Sequence, residues 1–593
     1  MGYMIKLSDY VMNFLVSKGV SKVFMVTGGG AMHLNDSIGH CEKLKYFCFL
    51  HEQALAFAAE AYGQHTNFPG VGLVTSGPGS TNTITAVAAA YLDSTPCFFI
   101  SGQAKRSNLK GDSGVRQMGS QEVDIVSMVQ CITKYAVTIM NPENVRFHLE
   151  KAWQEATTGR MGPVWLDIPL DVQGAMIDGT NLKGYEPPVL PKNEIPIDEI
   201  NAALKMSKRP LILAGNGIKL SGASDFVREF AEKYNIPMVL TWKMADFLDY
   251  NHPLNYGFPG TMGSRFSNFI VQNCDLLLIL GSRLDTSLTA FNSADFGRNA
   301  FRIMIDIDPA ETNKIENIDL KITMDVREAM RTISQMTVKL PEHSKWLEYC
   351  SKLKNKYPNL FEDARPHETV DLYLFTSELF KQLYSTDIIV PESSGEAGEV
   401  TYQAMQVKFG QSIKNSAGLG PMGVGLPQAV GACLAMERRR TILINGDGGF
   451  QLNIQELETV HRLQLPIKIF IWDNGGYHSI KNTQLNMFDG FIVGADASSG
   501  LTLPDLIAVA KAYKLRTLEI STNGDLETGI AEVLAGNDPV LCNIKVNQNH
   551  MTKPRVKAMK LPDGGMVSKP LEDMWPFLPP EEIEEHMKIS VDD

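Results

Sequence analysis

Concentrated positive charge is missing from this 593-residue chain. Its 55 Lys and Arg stand against 67 Asp and Glu, a formal charge of -12, which excludes nucleic acid and anionic lipid as main partners because those surfaces demand dense Lys and Arg. Cysteine is sparse and unpatterned. The eight, at 41, 48, 97, 131, 274, 350, 433 and 542, form no CxxC pair and have no ligand-like spacing to histidine, as expected of reduced, buried thiols in a cytoplasmic protein. The opening "MGYMIKLSDYVMNFLV" carries charges where a signal peptide needs its apolar core. The one long uncharged run, 70–92, is broken by the turn-forming "SGPGSTN", so no membrane span is expected.

What is present is ordinary globular composition, 44% hydrophobic and 21% charged, with length for about three to four domains. Two proline-punctuated stretches, "GYEPPVLPKNEIP" (184–196) and "LPEHSKWLEYCSKLKNKYPNLFEDARPHE" (340–368), read as connectors. The expected units are 1–183, 197–339 and 369–550, followed by a tail, 551–593. In each unit short β-rich runs ("SKVFMV", "PLILAG", "TILING", "IKIFIWDN") alternate with helical patterns, which predicts three parallel-sheet α/β domains of Rossmann-like type. "SGPGSTNTITAVAAAYLDSTPCFFISG" and "NGDGGFQLNIQELETVHRLQLPIKIFIWDN" share a plan of G-x-G turn, helix, proline and strand, so the first and third units read as copies. Only the third has an acid in its turn, Asp447.

Asp447 and Asn474 are 27 positions apart, each at the end of a predicted strand with one helix between. Adjacent parallel strands would bring both side chains to one rim, where hard oxygens suit Mg²⁺ bridging to phosphates. Gly446, Gly448, Gly449, Gly475 and Gly476 would let backbone approach those phosphates. "FLHEQALAFAAEAYGQ" adds a glutamate, Glu52, opening a helix too rich in alanine to present a charged stripe, so Glu52 is expected inside the fold.

GDG followed by 24 residues and "DN" resembles the signature of thiamine-diphosphate enzymes, with Asp473 in place of its first asparagine. "HEQALAFAAEAYG", "TSGPGSTN" and "SAGLGPMGVGLPQAVGA" resemble the same family in the same order. The pattern is most similar to the acetolactate synthase branch and, within it, to carboligases that build branched deoxysugars such as yersiniose; the tail "KLPDGGMVSKPLEDMWPFL" resembles that subgroup. The resemblance implies a pyrimidine-binding first unit and a diphosphate-binding third unit, taken from different subunits of a homodimer or homotetramer. It implies thiamine diphosphate and Mg²⁺ as cofactors, with Asp447, Asn474 and Gly476 holding the metal. Glu52 would hydrogen-bond the aminopyrimidine N1′, Gly420 would offer its carbonyl to that ring, and Met422 would wedge between the two rings. Gly395, Glu396 and Ala397, with Gly446, Gly448, Gly449, Tyr477 and His478, would contact the diphosphate. In the middle unit Arg283 and "IDIDPAE" (305–311) resemble FAD-binding elements, although relatives differ and some leave that unit empty or bind another nucleotide.

On the substrate side, Gln121 resembles a glutamine near the reacting carbon, and His33 follows a glycine turn matching the first active-site loop. His51 is expected to help fix the helix start. Three departures from acetolactate synthase, Ser120, Ser287 and Thr483, replace bulk or positive charge and imply a wider acceptor pocket. The expected activity is decarboxylation of pyruvate with transfer of the two-carbon hydroxyethyl unit to a ketone or nucleotide-linked keto-deoxysugar. The alternatives are acetolactate synthesis from two pyruvates, pyruvate oxidase chemistry, or a catalytically silent cofactor-binding scaffold.

Overall fold

The computed structural model describes residues 3–188, 193–358, 369–560, 563 and 565–589. Parts of both connectors and of the tail motif, at 189–192, 359–368, 561, 562 and 564, lie outside the described residues. Three parallel sheets of six, five and six strands dominate the chain.

The first sheet contains β1 (Lys22–Met25), β2 (Lys45–Cys48), β3 (Gly70–Val74), β4 (Cys97–Gln103), β5 (Tyr135–Thr138) and β6 (Pro163–Pro169). Their order across the sheet is β2-β1-β3-β4-β6-β5. The middle sheet is β8-β7-β9-β10-β11, with β7 at Pro210–Ala214, β8 at Met238–Leu240, β9 at Leu276–Leu280, β10 at Phe301–Asp306 and β11 at Leu320–Thr323. The third comprises β12 (Ile388–Pro391), β13 (Ser412–Ile413), β14 (Thr441–Gly446), β15 (Ile467–Asp473), β16 (Arg516–Ile520) and β17 (Val540–Lys545). Its order, β13-β12-β14-β15-β17-β16, repeats that of the first sheet strand for strand. The copies read from the sequence are therefore present in the fold. The central strands β3, β4, β6 and β9 are buried along their whole length, as sheets covered on both faces require.

Helix α1 (Glu52–Thr66) starts with the His51 side chain accepting from the Gln53 N–H at 3.1 Å, so His51 does fix the helix start. Two further helices begin at the rim of the third sheet, α2 (Glu396–Ala404) and α3 (Gly425–Ala435). Helix α1 buries Ala54, Ala56, Ala58, Ala59 and Ala61 and packs along α3 so closely that a Cβ on Gly431 would stand 2.3 Å from the Ala58 carbonyl oxygen. Small residues here permit backbone contact, and one apolar core runs through both units. Between the helices lies a buried polar network. Ser416 Oγ donates to Glu60 at 2.6 Å, and the amides of Gln428 and Gln64 donate to the same carboxyl at 3.1 and 2.6 Å. Burial pushes Glu60 up to about 7, beyond what Lys243 and these hydrogen bonds offset.

All eight cysteines are free. Five are buried, but Cys131 is exposed and Cys41 and Cys48 are half-buried, which corrects the expectation of uniform burial. Among the described residues no helix is long and apolar enough to cross a membrane.

Candidate active site

β14 and β15 are adjacent and parallel, with Gly446 opposite Trp472. Asp447 and Asn474 therefore leave the sheet side by side. Asp447 is buried; its Oδ2 accepts from the Gly475 N–H and its Oδ1 from the Gly448 N–H, both at 2.7 Å. One terminal atom of the Asn474 carboxamide lies 2.9 Å from Asp447 Oδ1 and 3.0 Å from the Gly476 carbonyl oxygen. As NH₂ that atom would donate to both. As oxygen it would stand from each of these two oxygens at a spacing that matches an octahedral edge, about 2.9 Å for metal–oxygen bonds of about 2.0–2.1 Å. This donor set, a carboxylate, an amide and a carbonyl, fits Mg²⁺ completed by water or phosphate. It is not a cluster of three or more His, Cys, Asp or Glu, of which none that could hold a metal occurs among the described residues. Burial, opposed by the Gly475 N–H and reinforced by the Asp473 charge, raises Asp447 to about 7. A bound cation would favour its ionised form.

Close packing dictates two of the loop glycines. A Cβ on Gly476, at φ +147°, would meet the Ala495 carbonyl oxygen at 2.2 Å, and one on Gly448 would meet the Tyr477 ring at 2.6 Å. Gly446 and Gly449 have more room, with no atom closer than 3.3 Å to a Cβ there. On the neighbouring loop Gly420 adopts φ +62° and donates its N–H to the Ser416 carbonyl at 2.9 Å. Met422 follows it, 37% exposed, with Leu419 and Leu452 also exposed.

The α2 start holds Gly395 at φ +73°, then Glu396 and Ala397, both buried. Glu396 faces not open space but His478 and His550, whose Nδ1 atoms lie 2.6 and 3.3 Å from its oxygens. Burial raises this carboxyl, and the two imidazoles more than offset it, leaving it below its ordinary value.

On the first unit Glu52 sits at the start of α1, where the rim of the sheet leaves it half-buried rather than inside. The alanines cover the body of the helix but not its first residue. Asn82 Nδ2 donates to Glu52 Oε2 at 2.9 Å, a partner that sequence reasoning missed although Asn82 lies within the quoted "TSGPGSTN". No hydrogen bond among the described residues joins Glu52 to the Asp447 loops of the same chain. Gly79 stands beside the carboxyl, and any Cβ there would lie 3.8 Å from Glu52 Oε1 and collide with Thr75. Gln121 is exposed at φ +56°, its carbonyl oxygen 2.6 Å from where a Cβ on Gly77 would stand. The His33 ring is set against Gly174, where a Cβ would be 2.9 Å from its Nε2.

A cavity of about 520 Å³ lies elsewhere. It runs between the middle unit (Arg283, Asp306, Glu311), the first unit (Asp93, Arg160) and Gly418 of the third. Arg283 donates to the Leu92 carbonyl at 3.0 Å, and Gly418 N–H to Asp93 at 3.1 Å. Its polar walls and volume suit a nucleotide. The glycines at 215, 217 and 281 do not argue for one, because they pack on each other, with Cβ positions 2.3–2.7 Å from opposing backbone. Ser287 also lines this cavity, bonded to Thr261 at 2.9 Å. Ser120 is exposed beside Gln121, and Thr483 caps the Ser479 carbonyl at 3.0 Å on helix α4 (His478–Met487).

Two like-wound α/β units, one carrying the Asp447 loop and one the rim Glu52, give the arrangement that the thiamine-diphosphate resemblance implies. Comparison with known proteins is specific. Residues 5–128 match the thiamine pyrophosphate enzyme N-terminal TPP binding domain, 197–333 its central domain and 394–544 its C-terminal TPP binding domain. The chain is 30% identical over 560 residues to the acetolactate synthase large subunit of Lactococcus lactis, covering 93% of this chain and 94% of that one. It is 31% identical over 563 residues to the acetolactate synthase large subunit of Cyanidium caldarium, covering 91% and 93%. It is 29% identical over 582 residues to the acetolactate synthase isozyme 2 large subunit of Escherichia coli K12, covering 97% of each. The chain belongs to the thiamine pyrophosphate enzyme family, as an enzyme of its carbon–carbon bond-forming transferase class.

Proposed function

We propose that the chain decarboxylates pyruvate and joins the remaining two-carbon unit to a carbonyl acceptor. The observation that carries this reading is the convergence of the Asp447 carboxylate, the Asn474 carboxamide and the Gly476 carbonyl at the rim of the third unit, on a chain whose full-length relatives are named acetolactate synthases. Those names favour a second pyruvate as acceptor over the keto-sugar expected from the tail motif. The larger acceptor remains as a second reading because Ser120 and Thr483 are small and exposed.

Thiamine diphosphate, when bound, supplies the electron sink that lets a 2-keto acid lose carbon dioxide. Asp447, Asn474 and the Gly476 carbonyl would hold Mg²⁺ against its phosphates. Gly420 and Met422 would fix the ring end, and Glu52, oriented by Asn82, would hold a proton at the ring nitrogen N1′. A second copy of the chain would bring its first unit over the exposed Leu419, Met422 and Leu452 of this one, forming at least a dimer. FAD or a related nucleotide would occupy the cavity beside Arg283, with no part in the bond-forming step.

The test is carbon dioxide release and product mass from pyruvate with Mg²⁺ and thiamine diphosphate, with and without a keto-sugar. Acetolactate as the efficient product supports the first reading, and a sugar adduct formed in preference supports the second. No release by the wild-type chain, matching a Glu52→Gln control, would refute both and favour the silent scaffold.

A further inference from the structure

The loop that carries Gln121 is built around one buried acid. Residues 111–118, Ser120 and Gln121 are exposed, yet Glu122 is only 5% exposed. Its Oε1 accepts from the Lys110 N–H at 3.2 Å and its Oε2 from the Met118 N–H at 3.0 Å. Its carbonyl accepts from Gln117 Nε2 at 3.0 Å, and its N–H donates to the Gly119 carbonyl at 3.2 Å. Both ends of the exposed stretch are thus tied to one residue, whose charge strengthens the two bonds its carboxylate accepts.

What this clamp holds is Gln121, one position before it. Gln121 stands at φ +56°, a conformation that residues with side chains rarely adopt and that surrounding structure must impose. On one side its carbonyl oxygen rests over Gly77, within 2.6 Å of where a Cβ would stand. Gly77 opens the turn that also carries Gly79, beside the Glu52 carboxyl, and Asn82, bonded to it. On the other side Gln103, at the end of β4, donates from Nε2 to the Val123 carbonyl at 2.8 Å. The Gln121 backbone is therefore fixed against the Glu52 rim, while its side-chain amide has no hydrogen-bond partner among the described residues. A fixed backbone carrying a free amide donor suits a group that meets a substrate.

We propose that Glu122 is a positioning residue for the bond-forming step: by clamping the 110–118 stretch it aims the Gln121 amide at the acceptor oxygen. The inference rests on the carboligase reading above. The two-carbon unit left by decarboxylation has two fates. Its carbon joins the acceptor carbonyl, whose oxygen becomes an alkoxide and then takes up a proton, or it takes up a proton itself and leaves as acetaldehyde. An amide N–H at the acceptor oxygen stabilises the first route alone, and a displacement of about 1 Å forfeits much of that help. Glu122, turned to main-chain donors, acts only through Gln121.

The experiment measures the ratio of acetaldehyde to ligated product from pyruvate, alone and with a keto-sugar added, for full-length Gln121→Ala, Glu122→Gln and the double variant. The Glu122→Gln amide sets its NH₂ against one of the two backbone N–H groups and so breaks half of the clamp. That variant should raise the ratio about tenfold, Gln121→Ala by at least as much, and the double variant no further than Gln121→Ala. Effects that multiply in the double variant would overturn the proposal. So would a Glu122→Gln ratio equal to that of the wild type, which with a lowered unfolding midpoint would mark the clamp as purely structural. If Glu122→Gln does not fold, Gln117→Ala decides by the same comparison, since this exposed residue loses only its bond to the Glu122 carbonyl. No carbon dioxide from the wild-type chain would instead refute the carboligase reading itself.

Discussion

Replacing Glu60 with glutamine tests the junction of the first and third units. Glu60 is wholly buried between α1 and α3, accepting from Ser416, Gln428 and Gln64. Burial pushes its carboxyl up to about 7 in the folded chain from an ordinary 4.5. The folded state thus holds a proton that the unfolded chain has lost across this window, and stability falls as pH rises from about 4.5 to 7. At 1.36 kcal/mol per pH unit the whole gap is worth roughly 3 kcal/mol, most of it between pH 5 and pH 8. Below 4.5 both states are protonated and the effect vanishes. The Glu60→Gln amide cannot ionise, so the variant should gain about 2.5 kcal/mol on the wild type between pH 5 and pH 8. Urea unfolding of the cofactor-free proteins, followed by tryptophan fluorescence at both pH values, measures that gain. Wild-type and variant midpoints that move in parallel would refute the assignment of the proton to Glu60.

Three further outcomes are expected. Asn82→Ala removes the 2.9 Å hydrogen bond to Glu52 and should lower kcat about tenfold or more while thiamine diphosphate affinity changes little; an unchanged kcat would mean Glu52 needs no such orientation. Thiamine diphosphate with Mg²⁺ at 100 times its dissociation constant should stabilise the wild type by about 2.7 kcal/mol, and Asp447→Ala should abolish that gain in a thermal-shift measurement; a retained shift would displace the metal from this loop. Gly77→Ala forces a side chain at φ +62° to within 2.6 Å of the Gln121 carbonyl oxygen and should cost about 1–3 kcal/mol; an undisturbed unfolding midpoint would show that the Gln121 loop yields freely.

The parts of the site that were legible in the sequence are those fixed by local order. Asp447 and Asn474 each follow a strand directly, and once the strands are neighbours their meeting is a matter of register. The shared plan of the two glycine turns likewise announced the matching strand orders. Glu52 was misplaced because counting alanines describes a helix's body, whereas its exposure is set by where the sheet ends. His550 carried no signal, since it lies 72 positions beyond His478 and reaches Glu396 only through the path of the chain after β17. Ser287 was read as an acceptor-site residue, yet it lines the middle cavity, because the segment carrying it turns toward Thr261.

The meeting of Gly431 with the Ala58 carbonyl has a bearing on motion. Two helices whose main chains touch have no intervening side chains to shear, so the first and third units of one chain cannot part like jaws to admit a substrate. Entry and release must fall to slender pieces at the periphery, such as the exposed Phe488–Phe491 stretch after α4. Whatever sets the pace of turnover, a hinge between these units is a poor place to seek it.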